Sequence, residues 1–371
     1  MNARASLRPC VILLSLAGCG GDFELPPLAA SSKYINYHTD ADASVICMDD
    51  LLAREDRFIE RTAAMLGVNV PSSPIDFVWD PIQSGAEPWA CPQNAASTIT
   101  SCYLSREKDD LAVVISRDVA NHHELVHAVD VAALGADGHP TLGEGLAEYL
   151  GALKSTLHPQ GFPEVFKAMV AKSPIPNSYR WAMHFVGSIF ARHGAEKYRA
   201  LRAEMPKNAG LETFSEVFEA VYGQSLDDAL VEMNGESVYG IDKFPACGDG
   251  EVRELPWTGE GLIDAMIESS CGDPWFFGGG FVDGQAGFYG YYVIEVPEAG
   301  YYDLTVGGGA LLGLLTGCSF AMLESAVGSF SGQTGRRLLQ PGRHTLAVAF
   351  PPGPEARGEA TVRLEYVAPP P

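Results

Sequence analysis

His123-Glu124-Leu125-Val126-His127 decides how this chain is read. It spells H-E-x-x-H. On a helix, His123 and His127 stand one turn apart on one face. Two imidazoles at that spacing grip one Zn²⁺. Glu124 points to the same side, where it can take a proton from a water that the metal activates. At this chain's own His and Glu frequencies, roughly 0.01–0.02 such matches arise by chance. The match therefore carries weight before its context is considered.

The context agrees. Leu111–Ser116 reads as an apolar strand, and Asp118–Asn121 offers N-caps for a helix running to about Leu134. Leu125, Val126, Val129 and Leu134 let that helix bury one face while its histidines face a cleft. Gly135–Thr141 is a turn, and a second helix runs from near Leu142 to about Leu153.

Two histidines leave zinc short of a third protein ligand. The pattern H-E-x-x-H-x-x-G-x-x-H is excluded: Asp130 stands where it needs Gly, and Ala133 where it needs the ligand. His139, in the turn, is one alternative. Glu144, in Thr141-Leu142-Gly143-Glu144-Gly145-Leu146-Ala147-Glu148-Tyr149-Leu150, is the better one. Two helices joined by a turn can bring Glu144 against the histidine pair. Glu148 lies one turn further on the same face, and like charges at that spacing repel mildly. A metal at Glu144 and an imidazole N–H at Glu148 relieve that repulsion. Gly143 and Gly145 leave room for close helix approach.

These residues resemble the gluzincin class of zinc metallopeptidases. There an H-E-x-x-H helix is followed by a helix carrying a glutamate ligand, with an acidic residue one turn later. His123, Glu124, His127, Glu144 and Glu148 match those five roles, and Glu144-Gly145-Leu146-Ala147-Glu148-Tyr149 is similar to bacterial members. The resemblance covers residues 34–234 in outline and is specific over 111–150. It implies hydrolysis of peptide bonds with Zn²⁺ as cofactor, a peptide or protein as substrate, and Glu124 as general base. A further donor steadies the oxyanion in such enzymes. Tyr179 and His184 are candidates, with Tyr149 another. His122 points about 100° away from His123 on a helix, which makes it a supporting or exposed residue. His158 and His193 read as surface residues.

The rest of the chain bounds this reading. Its 371 residues suffice for two domains, and 46% are apolar. Residues 1–18 join a basic start to a short apolar run, Val11–Ala17, and read as a signal peptide. Leu16-Ala17-Gly18-Cys19 resembles the lipobox of bacterial lipoproteins, which implies cleavage before Cys19 and its lipidation. The expected location is the cell envelope, anchored to a bacterial membrane through Cys19. Gly20 in place of Asp favours the outer membrane. Removing the leader takes two Arg and no acids from a net charge of −22, leaving −24. That charge argues against nucleic acid as a partner. Beyond the leader stand Cys47, Cys91, Cys102, Cys247, Cys271 and Cys318, an even set that suits an oxidising compartment. Their pairing is not legible, although Cys91–Cys102 suits a local loop.

Residues 19–32 read as a tether and 33–244 as a zincin-like catalytic domain. Strands are expected at Lys33–Tyr37 and Ile75–Trp79, a helix at Met48–Leu66 closed by Gly67, and a loop at Ser84–Ser105. Helices follow at Pro163–Val170, Tyr179–His193, Glu196–Glu204, Thr213–Tyr222 and Ser225–Met233. Composition then shifts to Gly, Tyr, Val and Pro. Residues 245–371 read as an all-β sandwich, with alternating runs at Phe288–Val296, Tyr301–Val306, Ser319–Leu323, His344–Phe350 and Thr361–Tyr366. The expected class is α+β.

Two other functions fit parts of the chain. One is a non-enzymatic, lipid-anchored surface protein on a retained zincin scaffold. Its sandwich would bind glycan, peptide or envelope, with Trp275, Phe276, Phe277, Tyr289, Tyr291 and Tyr292 as stacking candidates. The other is a structural zinc site closed by His139 or a cysteine. A serine hydrolase finds no G-x-S-x-G, and an NTPase no P-loop.

Overall fold

Parallel strands backed by helices build the first part of the molecule, and antiparallel sheets build the second. The computed structural model describes residues 25–80, 101–106, 111–135, 138–151, 156–157, 161–172, 179–235, 238–239, 252–273, 275–282, 285–317, 327–351 and 357–369. The architecture is mixed helix and sheet, α+β. The leader, Cys19, Cys91, Cys247, Cys318, His158 and the strand expected at 319–323 lie outside the described residues.

The first sheet contains β1 (Leu28–Ser31), β2 (Ile35–His38), β3 (Ile75–Trp79), β4 (Ser101–Arg106) and β5 (Leu111–Ser116), in the order β1-β2-β3-β5-β4. β2, β3 and β5 run parallel, with antiparallel β1 and β4 at the edges. β3 and β5 are near-continuous apolar runs, as buried parallel strands tend to be, whereas β2 alternates Ile35 and Tyr37 with Asn36 and His38. Asp76 is the exception on β3, and Asn36 and His38 hold its carboxylate. Two expectations are corrected. Residues 28–31 of the expected tether pair with β2, so the fold begins before Lys33. The end of the expected 84–105 loop is strand β4, because its backbone pairs with β5 from Ser101 to Arg106.

Helix α1 (Met48–Leu66) buries Leu51, Leu52, Phe58, Ile59, Ala63 and Leu66 and ends at Gly67, whose φ of 65° suits glycine. Then follow α2 (His122–Leu134), α3 (Pro140–Gly151), β6 (Thr156–Leu157), α4 (Phe162–Lys172), α5 (Tyr179–Glu204), α6 (Leu211–Tyr222), α7 (Leu226–Met233) and β7 (Val238–Tyr239). α3 starts two residues before the expected Leu142, since proline is at home in a first helical turn. The two helices expected at 179–204 form one element kinked at Gly194. One hydrophobic core unites these helices with the helix-facing side of the sheet.

The second part holds β8 (Arg253–Glu254), β9 (Leu262–Ser270), β10 (Phe276–Val282), β11 (Gln285–Val296), β12 (Gly300–Gly308), β13 (Leu312–Gly317), β14 (Val327–Phe330), β15 (Thr334–Leu339), β16 (Gly342–Phe350) and β17 (Arg357–Ala368). One sheet runs β10-β11-β16-β13-β14, with β8 beside β11, and the other runs β15-β12-β17-β9. Both feed one core, as Phe288 and Leu346 from the first meet Ile263, Leu304 and Val362 from the second. The alternation along β17 shows why: Ala360, Val362 and Leu364 are buried, while Glu359, Thr361, Arg363 and Glu365 are exposed.

Cys47, just before α1, is disulfide-bonded to Cys271. Asp50 of α1 accepts the Gly272 N–H at 2.7 Å, and the Arg54 guanidinium lies over the Tyr291 ring. These contacts join the two parts. Cys102 is disulfide-bonded as well.

Candidate metal centre

Helix α2 is held at its first turn from several sides. Asn121 Oδ1 accepts the Glu124 N–H at 3.1 Å, which is the N-cap bond. The Ser116 hydroxyl oxygen, at the end of β5, accepts from Asp118 N at 3.0 Å and from Asn121 Nδ2 at 3.4 Å. His122 turns away from the cleft. Its ring stacks on Phe58 at 4.0 Å, and its Nε2 bonds the buried Glu55 carboxylate at 3.1 Å. His122 therefore supports the helix rather than the cluster.

The next face of α2 presents His123 and His127. Their Nε2 atoms are 3.2 Å apart. Glu144 Oε2, from α3, lies 3.2 Å from His123 Nε2 and 3.5 Å from His127 Nε2. These three side chains form the one group among the described residues whose ligand atoms converge enough to hold a metal. Glu148 Oε1 stands 3.6 Å from His123 Nδ1, on the far side of that ring. Glu124 is buried, and its Oε1 accepts a hydrogen bond from the Ser101 hydroxyl of β4 at 2.9 Å.

α3 reaches α2 because glycine removes the obstacles. A Cβ at Gly151 would sit 2.6 Å from the His122 carbonyl, and one at Gly145 would sit 2.5 Å from the Ala182 carbonyl oxygen of α5. Gly143 is different: its nearest neighbour would be the His127 ring at 3.9 Å, an ordinary contact. Of the two glycines flanking Glu144, only Gly145 is required for close approach.

The donor set fits a tetrahedral ion. Bonds of about 2.0–2.1 Å to zinc hold neighbouring ligands roughly 3.3 Å apart. The donor triangle has edges of 3.2, 3.2 and 3.5 Å. The local charge also favours a cation. Burial pulls the His123 pKa down, but the Glu144 hydrogen bond and the charges of Glu124, Glu144 and Glu148 hold it at about 9. His127 is raised for the same reason against the same burial. Burial pushes the Glu144 carboxyl up, yet the two imidazoles hold it well below its ordinary range.

Of the other expected residues, Tyr179 lies at the cluster. Its ring stacks with His123 at 6.0 Å, and burial together with the charges of Glu144, Glu124 and Glu148 raises its phenol. His184 does not lie there. It is wholly buried, with Nε2 on the Met233 carbonyl at 2.9 Å and its ring edge-on to Phe162. Tyr149 is also a core residue, packed against Phe190. His139 is not a ligand. Its Nδ1 accepts the Thr141 N–H at 3.2 Å, and its Nε2 faces the Ala209 carbonyl at 3.2 Å. In the second part, Phe276 and Tyr292 are fully buried, Tyr291 is 8% exposed, and Trp275 and Tyr289 are half-buried. Phe276, Tyr291 and Tyr292 therefore offer no open stacking face; the Phe277 side chain lies outside the described residues.

Three residues escaped the sequence reading. Ser101 sat in a stretch read as loop. Glu55 sits on the buried face of α1. Asp130 forms a buried ion pair with Arg202 at 3.0 Å, tying α2 to α5. A carboxylate and an arginine on apolar helix faces were the available signal for that pair.

Neither a protein-family model nor a curated protein sequence matches this chain. Among solved structures, it is similar to a mutant of a periplasmic lysozyme inhibitor of g-type lysozyme from Escherichia coli, at 14% identity, covering 31% of this chain and 96% of that one, with a TM-score of 0.21. The Salmonella Typhimurium inhibitor of g-type lysozyme gives 14% identity, 31% and 98% coverage, and the same TM-score of 0.21. At that score the likeness carries no argument.

Proposed function

We propose that this chain is a zinc-dependent peptidase of the zincin type, acting on peptide or protein substrates. The observation that carries the reading is the donor triangle of His123 Nε2, His127 Nε2 and Glu144 Oε2, with Glu124 one residue along the same helix. Zinc bound there supplies Lewis-acid polarisation of the scissile carbonyl and makes water more acidic.

The chain's own residues do the rest. His123, His127 and Glu144 hold the ion. Glu148 faces Nδ1 of His123 and orients that ring. Glu124 takes a proton from the attacking water and returns it to the leaving nitrogen. Tyr179, rather than His184, is the donor that steadies the oxyanion: its ring stacks with His123 at the cluster, whereas His184 is buried on the Met233 carbonyl.

We place the protein outside the cytoplasm, lipid-anchored through Cys19 to the outer membrane. The leader and its Leu16-Ala17-Gly18-Cys19 box support this, as does the Cys47–Cys271 disulfide. No described helix is long and apolar enough to cross a membrane.

Glu124→Gln tests the reading. Wild-type protein is expected to carry one zinc and to cleave a peptide library. The variant should keep its zinc and lose roughly 10²- to 10⁴-fold in kcat. Wild type that carries no zinc, or a variant as active as wild type, would overturn it.

A further inference from the structure

The edge strand β4 touches the Glu124 side chain at one point. Ser101 opens β4, directly opposite Ser116 of β5. Side chains alternate along a strand. Cys102 and Leu104 pack against Val78, Val113 and Ile115 on the outer face of the sheet, and Tyr103 packs with the helices. Ser101 shares Tyr103's side, and its hydroxyl donates to Glu124 Oε1 at 2.9 Å. Opposite it, Ser116 anchors Asn121, whose side chain caps the Glu124 N–H. The two paired serines thus hold Glu124 at both ends, Ser116 through the backbone and Ser101 through the carboxylate.

A glutamate's terminal torsion is broad, so an unheld carboxylate turns freely. A charge-assisted hydrogen bond to one oxygen removes that freedom. It also leaves the second oxygen for a different partner, the water proton.

We propose that Ser101 is a positioning residue for the general base: its hydroxyl engages Glu124 Oε1 so that the other carboxylate oxygen is presented to the attacking water. The role rests on the peptidase reading above. It links catalysis to the placement of the edge strand, so displacing β4 slackens the base without touching a metal ligand.

The test uses full-length protein with Ser101→Ala, Ser101→Val and Ser101→Thr. Thr and Val have nearly the same shape, and only Thr keeps a hydroxyl. With zinc loaded and a fluorogenic peptide, Ala and Val should each lose roughly 10- to 100-fold in kcat. Their KM and zinc stoichiometry should hold, and Thr should stay close to wild type. A second readout needs neither metal nor turnover. In metal-free thermal melts, Ser101→Ala should lower the melting temperature in the wild-type background and leave it unchanged beside Glu124→Ala. Should Ala fail to fold, the Val and Thr pair decides the matter. Full kcat in Val, equal loss in Thr and Val, or strictly additive melting shifts would each overturn the role. Wild type that binds zinc and cleaves nothing would remove the peptidase reading and this role together. Wild-type cleavage with an unaffected Ser101→Val would remove the role alone.

Discussion

His139 carries a pH dependence that its position dictates. It caps α3, the helix that delivers Glu144, by accepting the Thr141 N–H at Nδ1. That bond requires an unprotonated Nδ1, and Nε2–H then donates to the Ala209 carbonyl. Burial accordingly pushes its pKa down to about 4. In the unfolded chain the value is about 6.5. Between those values the unfolded state binds a proton that the folded state refuses, so stability falls as pH falls through that window. The contribution amounts to at most roughly 3 kcal/mol. Gln can mimic both bonds without titrating. Denaturant melts from pH 7 to 4 should therefore show a shallower loss for His139→Gln than for wild type; parallel curves would contradict the assignment. The residue scale was only half legible in sequence. His123, Glu124, His127 and Glu144 announce themselves by spacing. His139 and His184 do not, because their partners are carbonyls of Ala209 and Met233, 70 and 49 positions away.

Among the elements, α3 shows how two similar glycines differ. Gly145 lies where a Cβ would strike the Ala182 carbonyl oxygen, a backbone atom that cannot move without moving α5. Gly143 faces the His127 ring at ordinary contact distance. Alanine gains roughly 0.5–1 kcal/mol over glycine in a helix interior. At Gly143 that gain stands, and Gly143→Ala should raise stability by about that amount while zinc affinity holds. At Gly145 the clash outweighs it, with overpacking costing about 1–3 kcal/mol. Gly145→Ala should lower both the unfolding midpoint and zinc affinity, since the same shift carries Glu144 away from the histidines. Equal effects at the two sites in calorimetry and zinc titration would refute the distinction. The apolar pattern made α1, β3 and β5 legible: α1 repeats it over 19 residues, and β3 and β5 are apolar at most positions. It missed β1 and β4, edge strands reading Leu-Ala-Ala-Ser and Ser-Cys-Tyr-Leu-Ser-Arg, whose small and polar residues give no clear apolar pattern although each pairs with the next strand in sequence.

For the whole molecule, the question is how two hydrophobic cores act as one protein. The helical core draws on Tyr34 to Met233, and the two-sheet core on Leu255 to Leu364 together with Cys47. The composition shift near residue 245 lies between the stretches that supply these two cores. Which cysteines join them stayed hidden, because six cysteines permit 15 pairings. The Cys47–Cys271 bond spans 224 positions. Closing so long a loop removes unfolded-state entropy worth on the order of 5 kcal/mol in the chain-entropy account. Two further contacts from α1 reach the second part, the Asp50–Gly272 hydrogen bond and the Arg54 guanidinium over the Tyr291 ring, and both are polar. Contacts of that kind contribute about 1 kcal/mol each and do not make two cores melt together. On these magnitudes the covalent link is the largest single contribution to coupling them. Scanning calorimetry of wild type should show one cooperative transition. Cys47→Ser with Cys271→Ser should split it in two, with the helical unit, now free of its anchor at the start of α1, melting first. Zinc added to the double variant should raise only that first transition, because ligand stabilises the unit that binds it. A double variant that still unfolds in a single step at the wild-type temperature would show that the noncovalent interface, not the disulfide, unites the molecule.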